Sequence, residues 1–325
     1  MKTTTTTRRD FLAGLGACAA LGATGAAPGP ARPLKVLMIG NSFSQSVMRQ
    51  LPAIAKAMGL PLDLANLKIS GCPLSRHWQN AEKGGDAAFA PYDVPMAWTS
   101  CDEKDSALRK AAPNGRGNIP QALAAEPWDV VTIQQSSDQS AFYKTYQPYA
   151  DRLVALVRER APQAEVRVQE TWSYSPYDGR LAKWGLTSEQ MYERVHTAYA
   201  ELATHAKLKV IPAGTAVQNF RRALPVAYAK VCTKDELAAF AEPARPDFYG
   251  DACGLAYWGV DKKSGARRLF VDGAHLNRNG EYLQGCVWAA ALFGADVKTC
   301  PYRPAFLSDD RAALMRKVAA ETVFA

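Results

Sequence analysis

The chain has 325 residues, 48% of them hydrophobic and 22% charged, with a formal net charge of +8. This is an ordinary globular composition with enough apolar residues for a full core, which excludes a disordered or fibrous chain. Two of the net positive charges fall within the first ten residues and no basic run exceeds two residues, which argues against a nucleic-acid groove.

The start of the chain reads as an export signal. Thr7-Arg8-Arg9-Asp10-Phe11-Leu12 is similar to the twin-arginine signature, and a mild apolar stretch runs on to about Ala23. Small residues from Thr24 to Ala27 offer cleavage points, and residues 28 to 33 form a Pro- and Gly-rich linker. The expectation is a signal and linker over 1–32, a periplasmic or secreted protein, and one domain over 33–325. Lipidation at Cys18, in Leu15-Gly16-Ala17-Cys18, is the second option. No apolar run is long enough for a permanent membrane span.

Residues 34 to 39 form a short, continuously apolar run, the pattern of a strand buried on both faces. A helix is predicted over 46–58, ended by Gly59, then a strand over 62–69. Residues 78 to 116 lack clear periodicity and read as a long excursion. A short helix over 119–125, a β-branched strand over 128–133, a helix over 147–160 and a strand over 165–169 follow. Residues 171 to 185 form an aromatic-rich excursion. Thr187-Ser188-Glu189-Gln190 is a capping box, and the helix it opens places Met191, Val195, Ala198 and Leu202 on one face. A strand over 208–211, an irregular stretch over 225–268, an apolar helix over 277–293 closed by Gly294, and a helix over 309–322 complete the order. Alternating strands and helices predict an α/β fold: a parallel sheet with helices on both faces and ligands bound at the carboxyl ends of the strands.

Polar residues collect at those predicted strand ends. Gly40-Asn41-Ser42-Phe43-Ser44 follows the first strand and opens a helix. A serine there is by itself most often a helix cap. Asp272-Gly273-Ala274-His275 offers a base and an orienting carboxylate three residues apart, which a serine nucleophile needs. Ile69-Ser70-Gly71-Cys72 and Gln134-Gln135-Ser136-Ser137 follow the second and third strands, where a backbone amide or side-chain amide can meet a developing oxyanion. His196 and His205 are nine apart on one helix and face opposite ways, so they form no metal pair. His77, in Arg76-His77-Trp78, is expected to pack within its loop, with lining the crevice as the second option. No metal or cofactor is implied.

These blocks resemble the SGNH, or GDSL-type, hydrolase superfamily over residues 34 to 294, in particular a bacterial branch with a GNSF first block. The first block is matched by Gly40-Asn41-Ser42-Phe43-Ser44, with Asn41 where the superfamily usually has Asp. Gly71 matches the second-block glycine, and Asp272 and His275 match the final Asp-x-x-His. The third block departs: Gln134-Gln135-Ser136-Ser137 stands where Gly-x-Asn is usual. The resemblance implies a three-layer α/β/α sandwich, flavodoxin-like, with a five-stranded parallel sheet. It implies Ser42, His275 and Asp272 as a catalytic triad, and an oxyanion site from the Ser42 and Gly71 amides. A glutamine would supply the last donor, Gln135 in preference to Gln134, with Asn41 and Ser137 beside it.

The expected activity is hydrolysis of O-acyl, above all O-acetyl, esters on carbohydrate. Tyr92, Trp98, Trp172, Tyr174, Tyr177 and Trp184 in the excursions suit sugar rings or loop packing. The alternative is an SGNH-like glycan-binding protein without turnover. Six cysteines remain once Cys18 is set aside, and an even number in an exported chain suggests disulfides. Sequence neighbours give Cys72–Cys101, Cys232–Cys253 and Cys286–Cys300, with Cys286 in an apolar helix and equally suited to a free buried thiol.

Overall fold

The computed structural model describes residues 32–86, 88–224, 238–246, 248 and 250–325. The export signal, Cys18 and Cys232 lie outside the described residues. The first apolar run becomes β1 (Leu34–Gly40), with Val36, Leu37, Met38 and Ile39 essentially inaccessible. Burial on both faces puts β1 at the centre of the sheet. α1 (Ser42–Gln45), α2 (Val47–Ala57), β2 (Leu62–Lys68) and α3 (Leu74–Glu82) follow. The next elements are short: β3 (Tyr92–Asp93), β4 (Met96–Ala97), α4 (Ala107–Ala111), β5 (Arg116–Gly117) and α5 (Ile119–Ala125). Regular alternation resumes with β6 (Val130–Ile133), α6 (Tyr149–Arg160), β7 (Glu165–Gln169), α7 (Gly179–Trp184), α8 (Ser188–Ala206), β8 (Lys209–Ile211) and α9 (Ala213–Ala223). A hairpin of β9 (Cys253–Val260) and β10 (Arg267–Leu276) leads into α10 (Arg278–Phe293) and α11 (Asp309–Val323).

β2, β1, β6, β7 and β8 lie side by side in that order, each pair parallel. These are the five parallel strands the sequence predicts. The sheet is larger than expected, because the two-residue strands β3, β4 and β5 add antiparallel pairing at the β2 edge and bring it to eight strands among the described residues. Two residues carry no period-two signal, so the stretch reads as irregular in sequence. The expected irregularity over 225–268 also needs correction. β9 and β10 pair from Arg267↔Val260 to Asp272↔Leu255, outside the main sheet. Most hairpin residues are half-exposed on both faces, so no alternation of apolar and polar residues marks them.

Among the described residues no disulfide is formed, and the expected Cys232–Cys253 pair lies outside them with Cys232. Cys72, Cys101, Cys253, Cys286 and Cys300 are free thiols, all but Cys101 buried. Ser100 is held to Asp63 near the start of β2, whereas Cys72 lies beyond its far end. At about 3.3 Å rise per residue, Cys101 and Cys72 sit at opposite ends of β2, well beyond the roughly 7 Å that a disulfide spans between Cα atoms. Cys286 and Cys300 pack as small apolar residues, and burial pushes both thiols above their ordinary pKa.

Candidate active site

The site starts where β1 ends. A Cβ on Gly40 would lie 2.3 Å from Ser44 Oγ, so only glycine lets the chain fold back at this turn. Asn41, in an extended conformation, caps α1 by accepting the Phe43 N–H at 2.9 Å. The cap is therefore Asn41, which leaves the Ser42 side chain free for another partner. That partner is His275: Ser42 Oγ stands 2.8 Å from its Nε2.

His275 reaches the strand ends from the hairpin. A register irregularity between Asp272 and Leu276 lifts residues 273 to 275 out of the ladder, which resumes at Leu276↔Cys253. Asp272 Oδ1 accepts the N–H groups of Ala274 at 2.8 Å and His275 at 3.2 Å. Its Oδ2 lies 2.5 Å from His275 Nδ1. Burial pushes the Asp272 carboxyl upward, but the hydrogen bonds from His275 and the two N–H groups outweigh it and hold the acid at about 2. An ionised Asp272 fixes the proton on Nδ1 and leaves Nε2 to accept from Ser42. Ser42, His275 and Asp272 thus form one continuous chain of contacts.

Trp172 ties the two halves together. Its ring stacks on Phe43 with centroids 4.0 Å apart, and its Nε1 donates to the Ala274 carbonyl at 2.7 Å. The Ser42 turn and the Asp-x-x-His turn are clamped by one indole. Trp172, Tyr174 and Tyr92 are fully buried, so these three are packing residues and not the sugar platforms that aromatic content suggested. Trp98 lies at the other edge of the sheet, near Lys35 at the start of β1.

The remaining candidates separate. Gly71 sits in a turn with φ +62°, closed by the Cys72 N–H on the Ile69 carbonyl. Asn41 Nδ2 donates to the Cys72 carbonyl at 3.2 Å, which holds this turn beside Ser42. Gln134 donates to Asn41 Oδ1 at 2.7 Å and accepts from Gln169 Nε2 at 2.7 Å. Gln169 and Gln284 both donate to the Phe43 carbonyl. This buried amide network sets the position of α1, and sequence reasoning missed its Gln169 and Gln284 members. Gln169, the last residue of β7, carried the strand-end signal. Gln135 is wholly buried: its Nε2 donates to Thr145 O and Oγ1, and its Oε1 accepts from Leu74 and Ser136 N–H groups. The preference for Gln135 as oxyanion donor is therefore corrected: its amide is consumed in fastening three segments together. Ser137 Oγ accepts from the Tyr174 hydroxyl at 2.8 Å.

The other histidines lie elsewhere. His77 is buried against Tyr92, and burial, helped by Arg76, drops its pKa to about 3. His196 meets Glu170 and His205 meets Asp151, both half-exposed. Among the described residues no group of three His, Cys, Asp or Glu side chains is placed to hold a metal.

With this geometry in place, comparison with known proteins assigns the family. The family described as "Domain of unknown function (DUF4886)" matches residues 35–235. The chain belongs to the DUF4886 family. A DUF4886 family protein of Bacteroides uniformis, solved by crystallography, is similar at 25% identity with a TM-score of 0.65, over 90% of this chain and 95% of that one. A candidate SGNH hydrolase of Slackia heliotrinireducens is 20% identical with a TM-score of 0.45, over 80% of this chain and 100% of that one. A candidate GDSL-like lipase of Parabacteroides merdae is 12% identical with a TM-score of 0.42, over 79% of this chain and 94% of that one. None of the curated proteins matches the chain. The DUF4886 match ends at residue 235, before the hairpin that supplies Asp272 and His275.

Proposed function

We propose that this DUF4886 protein is a serine esterase that removes O-acyl groups, O-acetyl in the first place, from carbohydrate outside the cytoplasm. The observation that carries the reading is the Ser42 Oγ–His275 Nε2 contact of 2.8 Å continued to Asp272 at 2.5 Å. Ser42 Oγ attacks the ester carbonyl carbon as its proton passes to His275 Nε2. The C–O bond to the leaving alcohol breaks, and the imidazolium returns that proton to the alcohol oxygen. An acyl group then sits on Ser42. Water attacks it, giving its proton to Nε2, and the proton ends on Ser42 Oγ as the carboxylic acid leaves. Asp272 stays ionised throughout and stabilises the imidazolium.

The carbonyl oxygen becomes negative when attacked. The Ser42 N–H opens α1 and has no partner within the helix. The Gly71 N–H lies in the turn fastened to Asn41, and the two together supply the first donors for that charge. The twin-arginine-like start supports action outside the cytoplasm, where acylated glycans are accessible. Hydrolysis of p-nitrophenyl acetate by wild type and Ser42→Ala tests the reading. A fall to background in Ser42→Ala is expected, and equal rates would remove Ser42 as nucleophile. Release of acetate from acetylated xylan against a simple alkyl acetate then tests the carbohydrate preference.

A further inference from the structure

We propose that Ser137 gives the third hydrogen bond to the oxyanion, with Tyr174 as the residue that positions and polarises it. The proposal rests on the esterase reading of Ser42 and names a donor which that reading requires. Four residues after β6 carry side-chain donors: Gln134, Gln135, Ser136 and Ser137. Both nitrogen protons of Gln135 face Thr145, as described. Gln134 is held head and tail between Asn41 and Gln169 and is 2% exposed. The Ser136 hydroxyl is sealed from solvent, so no entering substrate meets it. Ser137 is the half-buried member of the four.

Its hydrogen bonding suits the role. The Tyr174 hydroxyl donates to Ser137 Oγ at 2.8 Å. A serine hydroxyl that accepts one bond keeps its own proton for a further acceptor. Tyr174 is itself buried, and the Arg180 guanidinium lies over its ring, 4.1 Å from the centroid. Asp178 holds Arg180 there through Nε at 2.8 Å and Nη2 at 2.7 Å. A cation above the ring makes the phenol a stronger donor, and a donor chain of this kind polarises its last member. Burial works against ionisation and pushes the Tyr174 hydroxyl up to about 12, so it stays a donor at neutral pH.

Both ends of the Tyr174–Ser137 bond are tied through the chain to residues that flank Ser42. Gln134, three residues before Ser137, bonds Asn41, the residue preceding Ser42. Tyr174 lies two residues after Trp172, whose ring stacks on Phe43, the residue following Ser42. The segments that carry the two hydroxyls are thus each fastened to a residue flanking Ser42. Only a hydrogen bond is added to the reaction, and no proton leaves Ser137.

Steady-state hydrolysis of p-nitrophenyl acetate by six variants tests the proposal. Ser137→Ala is expected to lower kcat by about 10²-fold or more with KM changed less than about twofold, as loss of one oxyanion donor does. Ser137→Asn, which brings an amide donor to the same place, is expected to recover most of that loss. Tyr174→Phe is expected to lower kcat about tenfold and to cause no further loss in the Ser137→Ala background, a non-additivity that a purely structural tyrosine would not show. A kcat for Ser137→Ala within about threefold of wild type overturns the proposal, as does equal damage by Ser136→Ala. Ser42→Ala separates the two readings. If it keeps wild-type activity, the esterase reading fails and takes this proposal with it. If it abolishes activity while Ser137→Ala does not reduce it, only the Ser137 assignment falls.

Discussion

Replacing Asp251 by Asn removes the charge opposite Arg221 while keeping the shape of the side chain. Arg221, on α9, has no accessible side-chain surface, and Asp251 has 6%. The pair is bidentate, Nε to Oδ1 at 2.9 Å and Nη2 to Oδ2 at 3.0 Å. Arg221 Nη1 also donates to Ser173 Oγ at 2.7 Å, and Ser175 Oγ donates to Asp251 at 2.8 Å. The main chain at Asp251 accepts from Asn277, which caps α10, so the pair fixes the base of the hairpin that carries Asp272 and His275. Breaking a buried pair from one side leaves a desolvated charge and costs about 3–5 kcal/mol. With a urea slope of about 3 kcal/mol/M, the unfolding midpoint falls by about 1 M or more. Urea titration followed by tryptophan fluorescence measures it, provided the slope is unchanged. Arg221→Met with Asp251→Leu should restore much of the stability, because neither charge is then buried. A loss below about 1 kcal/mol in Asp251→Asn, or a double variant as unstable as the two single losses added, would refute the argument.

Three further outcomes follow from the same structure. Glu281, near Arg49 and Arg278, has its carboxyl pushed up by burial to about 6, so the native state holds its proton more tightly than the unfolded chain. The stability this gives is present below the unfolded pKa of about 4.5 and lost as pH rises through 6; Glu281→Gln should therefore be about 1–2 kcal/mol more stable than wild type at pH 7 and lose that margin by pH 4, measured by thermal melts across pH. Gly273→Ala would set a Cβ 2.8 Å from Asp178 Cβ; moving the Asp-x-x-His turn should cut kcat on p-nitrophenyl acetate about 10²-fold with the fold intact by circular dichroism, and an unchanged rate would show that the turn has slack. Asp272→Asn should leave the fold in place and lower kcat by about 10⁴-fold, the size seen when a triad aspartate loses its charge, and a loss under tenfold would show that the carboxylate does not orient His275.

Local patterns carry as far as local interactions do. The apolar run 34–39 and the alternation of helix and strand specified the five parallel strands, because burial on both faces of a strand leaves a continuous hydrophobic signature. The Thr187–Gln190 capping box was legible because both of its hydrogen bonds close within four residues. Asp272 and His275 meet through a turn of four residues, so their pairing was also readable. The hairpin that delivers them was not, because most of its residues are half-exposed on both faces and give no period. Gln135 looked like a donor for an oxyanion. Only the fold shows that Leu74, sixty-one residues away, and Thr145, ten residues away, claim its amide. Trp172 and Tyr174 looked like sugar platforms, yet packing against Phe43 and beneath Arg180 turns them inward. The cysteine count suggested disulfides, but which thiols meet depends on the end of the strand each reaches. The sequence alone determined the five parallel strands and singled out Ser42, Asp272 and His275. Their meeting, across more than two hundred residues, was decided by the packing of α1 against β10, a contact that no local rule encodes.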